Sequence, residues 1–358
     1  MNFVAATRSY EAWAAARIHL VPADLRRKHR EMATAAVPFL RATFYRWAEL
    51  FPAICPDLAA APRLLAVGDL HIENFGTWRD AEGRLVWGVN DFDEAYPLPY
   101  ANDLVRLAAS ALLAIDAQRL RIGHDEACRA ILDGYGERLA GPAPMPYILE
   151  EAHHELRAMA LGALRAPDLF WAKFTALKHV APPKAVAKLL RKRLPEEARF
   201  DRFARRVAGM GSLGRERYVA LATVAGGLVA REAKAVLPSA CLWARGKAKD
   251  RVYVAEIAAR ATLATDPFFA VKRGWILRRL APHCSRIELA DFPARRDERV
   301  ILKAMGAETA NVHLGTAEDH AALRRDFARR SRQADWLAHA ARRMAAATLK
   351  DWKAWRAR

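Results

Sequence analysis

The sequence predicts an α+β chain that is mainly helical, and three features of it carry that prediction. Ala, Leu, Arg and Glu dominate, with apolar residues three and four apart across Asp103 to Arg119 and Ala321 to Trp355, the period of a helix with one buried face. A first island, Arg63 to Phe92, breaks this period: its apolar runs Leu64 to Val67 and Leu85 to Val89 lie either side of a polar Asp80-Ala81-Glu82-Gly83 turn, which suits short strands. The second, Arg206 to Val236, is rich in glycine and in β-branched or aromatic residues. Within it Tyr218 to Val224 and Leu228 to Val236 flank Gly226-Gly227, a hairpin signal. Between the islands, Ala181-Pro182-Pro183 and the basic stretch Lys184 to Arg193 suggest a surface connection. No internal repeat or low-complexity tract stands out.

At 358 residues the chain suits one large domain or two lobes sharing a core. Its apolar fraction of 53% with 27% charged residues is a globular balance, which excludes a disordered tail protein. No run of 18 or more apolar residues occurs, so no membrane span is expected. The first twenty residues lack the basic start, apolar core and small-residue cleavage site of a secretory signal, so a cytoplasmic location is expected. Cys55, Cys128, Cys241 and Cys284 lie far apart with no C-x-x-C pair, the pattern of buried reduced thiols. The net charge of +18 would favour a polyanion or a phosphate-bearing substrate, yet heavy use of Ala and Arg also suits a compositional bias with no binding role. Nucleic acid is therefore an admissible partner but not the favoured one.

Chemistry enters with Gly68-Asp69-Leu70-His71-Ile72-Glu73-Asn74-Phe75-Gly76, where a carboxylate and an amide stand five residues apart in a loop after a short apolar strand. A kinase catalytic loop has this pattern, with Asp accepting the proton of the substrate hydroxyl and the downstream Asn coordinating magnesium. About twenty residues on, Val89-Asn90-Asp91-Phe92-Asp93-Glu94 ends another apolar strand with acids able to bridge a metal ion to nucleotide phosphates. Together with Asp103-Leu104-Val105-Arg106-Leu107-Ala108, these motifs resemble the aminoglycoside phosphotransferase and choline kinase branch of the protein-kinase-like superfamily. The resemblance implies Asp69 as catalytic base, Asn74, Asp91 and Asp93 as magnesium ligands, and His71 and Asp103 as organisers of the loop. Val67 stands where that pattern has its first His. Two other readings compete: a hydrolytic metal site made of Asp69, His71, Glu73 and Asp91, or turn and capping residues without chemistry.

Such a kinase also needs a glycine-rich turn over the phosphates and a lysine on a neighbouring strand. Nothing before Gly68 supplies them, but Gly209-Met210-Gly211-Ser212-Leu213-Gly214 gives G-x-G-x-x-G, and Arg231-Glu232-Ala233-Lys234-Ala235 follows on the next strand but one. A dinucleotide fingerprint is the commoner meaning of the glycine pattern, yet it would open a helix beside a parallel sheet, whereas strand and hairpin signals follow here. Gly209, Gly211, Ser212, Gly214 and Lys234 are thus the expected nucleotide-binding residues. Glu256, on a helix expected over Arg251 to Arg260, is the candidate partner of Lys234; Glu232 is nearer in sequence and shares the strand face of Lys234. Trp275 to Leu280 is expected as a strand leading to a hinge, and Glu308 to His313 resembles the L-A-x-x-H helix that precedes the catalytic loop.

The parts stand in kinase order, but rotated. A two-lobed protein-kinase-like fold with circularly permuted motifs follows as the expectation, since chain cuts at surface sites preserve a core. Residues 1–200 would form a helical lobe with the catalytic and metal-binding loops, 201–290 a small β-containing nucleotide lobe, and 291–358 helices completing the first lobe. The whole arrangement resembles a bacterial family defined only as a domain of unknown function, with GD-x-H-x-x-NFG, NDFDE and a late glycine motif; Val37-Pro38-Phe39-Leu40-Arg41 belongs to the same resemblance. The implied activity is an ATP- and Mg-dependent phosphotransferase acting on an unknown hydroxyl acceptor, small molecule or protein. Adenylyl transfer from the same fold, or nucleotide or polyanion binding without turnover, are the alternatives.

Overall fold

The computed structural model describes residues 1–150, 153, 155–158, 166–246, 249–284, 298–333 and 335–358. It is a mixed α/β structure in which helix predominates. After five N-terminal helices within residues 3–59, strand β1 (Arg63–Ala66) pairs antiparallel with β4 (Tyr96–Pro99), while β2 (Phe75–Arg79) pairs with β3 (Leu85–Val89), which takes β5 (Tyr147–Ile148) on its other side. The polar turn expected at Asp80 joins β2 to β3: the Asp80 carboxylate accepts from the Arg84 amide at 2.9 Å and so closes it.

Helix α6 (Tyr100–Asp116) is buried over nearly its whole length, and its few polar side chains, Asn102, Asp103, Arg106 and Ser110, are each hydrogen-bonded inside the protein. Helix α7 (His124–Ala140) crosses the long helix Glu298–Thr316 at very short range. A Cβ at Gly134 would run into the Lys303 carbonyl, and one at Gly306 into the Ile131 carbonyl, so glycine at both crossing points permits the contact. The C-terminal helix Trp336–Arg356 packs along α6 and reaches the first helix, Phe3–Ala15, where the Trp355 and Phe3 rings meet edge-on at 5.4 Å.

The second sheet is five-stranded and wholly antiparallel, in the order β6 (Arg199–Arg205), β7 (Arg217–Val224), β8 (Gly227–Ala235), β10 (Trp275–Leu280), β9 (Ala270–Lys272). The hairpin read at Gly226-Gly227 joins β7 to β8, with Ala225 and Gly226 both at positive φ. Helix Val254–Ala261 stands between β8 and β9 in the chain. Alternate residues of β7 serve opposite faces, as a period of two requires. Tyr218 and Ala220 pack under Val186 and Leu190, whereas Val219 and Leu221 pack on Phe170 and Phe174.

This packing corrects one expectation. Lys184 to Arg193 is not a bare connection: helix Lys184–Arg191 buries Val186 and Leu190 against the sheet and turns its basic face outward. Helix Pro167–Thr175 also packs on the sheet, through Phe170 and Phe174. The expected end of the β-containing lobe at 290 lies outside the described residues.

Candidate functional site

Strand β1 delivers the chain into the loop that carries Asp69. Within α6 the fully buried Asp103 carboxylate accepts from the amides of Val67 at 2.7 Å and Gly68 at 3.0 Å. His313, also fully buried, places its Nε2 3.2 Å from Asp103 and its Nδ1 2.9 Å from the Tyr135 hydroxyl. Buried N–H groups must be paired, and here the pairing fixes where Asp69 begins. One helical turn beyond Asp103, Arg106 donates from Nε to Asp69 Oδ1 at 2.8 Å and from Nη2 to the same oxygen. The other oxygen, Oδ2, lies on the side of Gly211. Burial pushes the Asp69 carboxyl up to about 6, with the Arg106 charge pulling the other way.

Asn74 ties this loop to the second acidic cluster. Its Nδ2 donates to the carbonyls of Asp69 and Asp91, each at 3.1 Å, and its own carbonyl accepts from the Asn90 amide at 2.9 Å. Asp91 Oδ1 in turn accepts from the Asp93 amide at 3.0 Å. The Asp91 side chain is 44% exposed and faces the cleft. Burial opposes its ionisation, but the nearby Lys234 charge overcomes that and holds the carboxyl well below the usual carboxylate range.

Lys234 arrives from β8. Its ammonium sits 3.3 Å from Asp91 Oδ2 and 2.6 Å from Asp93 Oδ1. Asp93 also receives Arg215 at 3.2 Å through Oδ2, and Arg215 reaches Glu94 at 3.0 Å. Both oxygens of the buried Asp93 are thus committed to cations, so this carboxylate is a counter-ion and not the open ligand expected from the sequence. Glu256 does not approach Lys234. It lies on a half-exposed face of helix Val254–Ala261 and pairs with Arg251 at 2.7 Å and Arg260 at 3.7 Å. The acids after β3 take the place expected for it.

The glycine segment spans the gap between antiparallel strands β6 and β7 and opens no helix, which removes the dinucleotide-fingerprint alternative. Gly209 and Gly214 adopt φ of +81° and +100°, and the Ser212 amide donates to the Gly209 carbonyl at 3.1 Å. Ser212 Oγ accepts from Arg217 at 2.8 Å. Gly211 hangs over the Asp69 loop: a Cβ there would stand 3.1 Å from the Arg41 carbonyl and 3.5 Å from Asp69 Oδ2. The helical side holds the turn down through Lys28, whose ammonium reaches the Gly211 carbonyl at 3.4 Å, and through the Val21 amide on the Gly214 carbonyl at 2.8 Å. Beneath the turn is a cleft of about 570 Å³ lined by Asp69, Asn74, Asp91 and Gly209 to Ser212.

Sequence reasoning missed the arginines. Arg41, the last residue of the Val37 to Arg41 segment, pairs with buried Glu73. Glu232, on the same strand face as Lys234, is fully buried among three guanidiniums: Arg206 at 2.6 Å, Arg278 at 2.7 Å and Arg217 at 3.0 Å. Burial opposes its ionisation, yet the three charges hold it well below the usual carboxylate range. In an Arg-rich chain none of these positions stands out by type. Only the register signalled Arg217, which β-pairing sets opposite Lys234.

A hydrolytic metal quartet of Asp69, His71, Glu73 and Asp91 does not form, because Arg41 and Arg106 hold Glu73 and Asp69. Among the described residues no three His, Cys, Asp or Glu side chains are grouped to hold a metal by themselves. Magnesium does not require such a cage; one or two carboxylates suffice when substrate phosphates and water supply the remaining oxygens. Asp91, part-exposed to the cleft and with the Asn74 amide bonded to its backbone carbonyl, fits that need.

Fold and site together define an α+β protein in which a glycine turn and a buried lysine from an antiparallel sheet close over a pair of acidic loops. The chain belongs to the bacterial family described as an uncharacterized protein conserved in bacteria (DUF2252), whose profile matches residues 17–166 and 184–358. No curated protein and no solved structure matches it. Among the described residues no helix is long and apolar enough to cross a membrane.

Proposed function

We propose that this protein is an ATP- and magnesium-dependent transferase, kinase-like in fold with its motifs circularly permuted, which passes a phosphorus-centred group of the nucleotide to a hydroxyl acceptor. The observation that carries the proposal is the meeting of Lys234 with Asp91, 143 residues earlier in the chain, under a glycine turn that covers Asp69. No local rule brings these groups together, whereas a metal-nucleotide cleft needs all of them. The antiparallel order β6-β7-β8-β10-β9, with the turn between the first two strands and the lysine on the third, supports the kinase-like reading.

The backbone amides of the turn and the Lys234 ammonium hold phosphate oxygens. Asp91 and Asn74 would hold magnesium, which neutralises charge on those oxygens. Asp69, fixed by Arg106 through one oxygen, uses Oδ2 to orient the acceptor hydroxyl and take its proton. A pure polyanion binder would need no base aimed into the cleft.

The test is incubation with labelled ATP and magnesium in a cell extract, following the label to an acceptor. Wild-type protein should transfer label, and Asp69→Asn should retain nucleotide binding while losing transfer by about a hundredfold or more. Absence of any stabilisation by purine nucleotides, with magnesium or manganese, would sink the proposal.

A further inference from the structure

Two chambers meet at Asp91. The cleft under the glycine turn is lined by eight Lys or Arg side chains against four Asp or Glu. On the other side of Lys234 lies a second chamber of about 420 Å³ with balanced charge, walled by Trp78, Phe92, Phe269, Val271 and the Val254 to Ala259 face of its helix. Asn90, Asp91, Asp93, Arg278 and Cys284 border both. Within the basic chamber, Arg206, Arg217 and Arg278 share a single carboxylate, Glu232, so the group keeps two positive charges in excess. Glu232 stands two residues from Lys234 on one strand face, roughly 6.6 Å away at the usual strand rise, a separation that two further phosphoryl groups span.

Resting on the metal-nucleotide reading above, we infer that the Arg206, Arg217 and Arg278 group seats the β- and γ-phosphates, that the apolar chamber takes the base, and that the α-phosphate therefore lies over Asp91 and Asp69. Flat apolar bases are held by apolar walls; phosphates by guanidinium forks. Phe170, Phe174 and Leu280, at the far end of the basic chamber, are already buried against Val219, Leu221 and Ala230 and offer the base little surface. The reaction is then nucleotidyl transfer. The acceptor oxygen bonds to the α-phosphorus as the bond from that phosphorus to the bridging oxygen breaks. The hydroxyl proton passes to Asp69, and pyrophosphate leaves with the bonding pair into the arginine seat.

Equilibrium binding on the full chain with magnesium, using ATP, pyrophosphate and adenosine, tests this. On wild-type protein, pyrophosphate and adenosine should bind together, each competing with ATP. Arg206→Gln, outside the apolar chamber, should weaken ATP and pyrophosphate about tenfold and leave adenosine unchanged; Ala259→Trp, at the exposed rim of the apolar chamber, should weaken ATP and adenosine and spare pyrophosphate. In the extract, label from the α-position should reach the acceptor with release of pyrophosphate. Movement of γ-label with release of ADP, mutual exclusion of pyrophosphate and adenosine, or equal loss of adenosine in Arg206→Gln would overturn the inference while leaving a nucleotide transferase standing. Failure of wild-type protein to bind Mg-ATP would remove both.

Discussion

The Lys234 ammonium lies 3.3 Å from the Asp91 carboxylate and 2.6 Å from that of Asp93, so one buried cation from the sheet joins the two acids that follow β3. The lysine is 3% exposed, and a charge that deep is tolerated because it is paired. Lys234→Met should therefore destabilise the protein, though by less than the about 3–5 kcal/mol of a fully stranded buried charge, because Arg215 still pairs with Asp93. Adding Asp93→Asn should return part of that loss, because the stranded charge and not the missing contact dominates the cost. Urea denaturation of the two single variants and the double variant reads the coupling; strict additivity would show that the pair is not held as described.

A pH profile follows from Asp69. Its carboxyl is pushed up to about 6 by burial, so this proposed base is mostly protonated below that pH and ionised above it. The rate at low substrate should rise about tenfold per unit up to pH 6 and then level. The same shift means that the folded state binds this proton more tightly than the unfolded chain. The stability contributed by the carboxyl is thus complete below the ordinary carboxylate value and lost as pH rises through about 6. Arg106→Gln removes the charge that counters burial and should move the kinetic limb to higher pH. A limb that stays in place in that variant would show that another group sets it.

Much of the site was legible because its parts are local. Gly68 to Gly76, Asn90 to Glu94 and Gly209 to Gly214 are short segments whose residue types carry their own geometry, and the strand and hairpin around the glycine turn followed from period and turn chemistry. What could not be read was pairing across long separations. Residue spacing puts Glu256 on a helix but does not say which way that helix turns, and the acids of the earlier loop reach the Lys234 ammonium first. Within the Asp103 to Ala108 motif Arg106 does not stand out by type, though its distance of one turn from Asp103 is what carries it to Asp69. Helix Lys184–Arg191 is hidden as a sheet cover because short apolar spacing in a basic, proline-flanked stretch resembles a linker.

Asp103 should prove as sensitive as the reacting groups although it lies outside the cleft. It accepts from the amides of Val67 and Gly68 and from His313 in a region closed to water. Asp103→Ala would leave two buried N–H groups unpaired at about 1–3 kcal/mol each and release the loop that positions Asp69. Both thermal stability and turnover should fall. Asp103→Asn, which keeps one acceptor oxygen, should recover part of the stability; equal behaviour of the two variants would deny that these hydrogen bonds hold the loop.

Glu256 provides the opposite expectation. Were it the partner of Lys234, its removal would strand a buried ammonium and damage nucleotide binding. Its partners instead are Arg251 and Arg260, and both acid and bases are more than a third exposed. Exposed pairs of this kind contribute about 0–1 kcal/mol and are screened by salt. Glu256→Ala should therefore leave the denaturation midpoint within the range of ordinary surface changes, and should leave the nucleotide-induced rise in melting temperature intact at 0.15 M salt. Lys234→Met, measured beside it, should lose most of that rise. If Glu256→Ala loses the rise as well, the nucleotide draws helix Val254–Ala261 inward until Glu256 reaches the lysine, and the pairing of Lys234 with Asp91 and Asp93 belongs to the nucleotide-free protein alone.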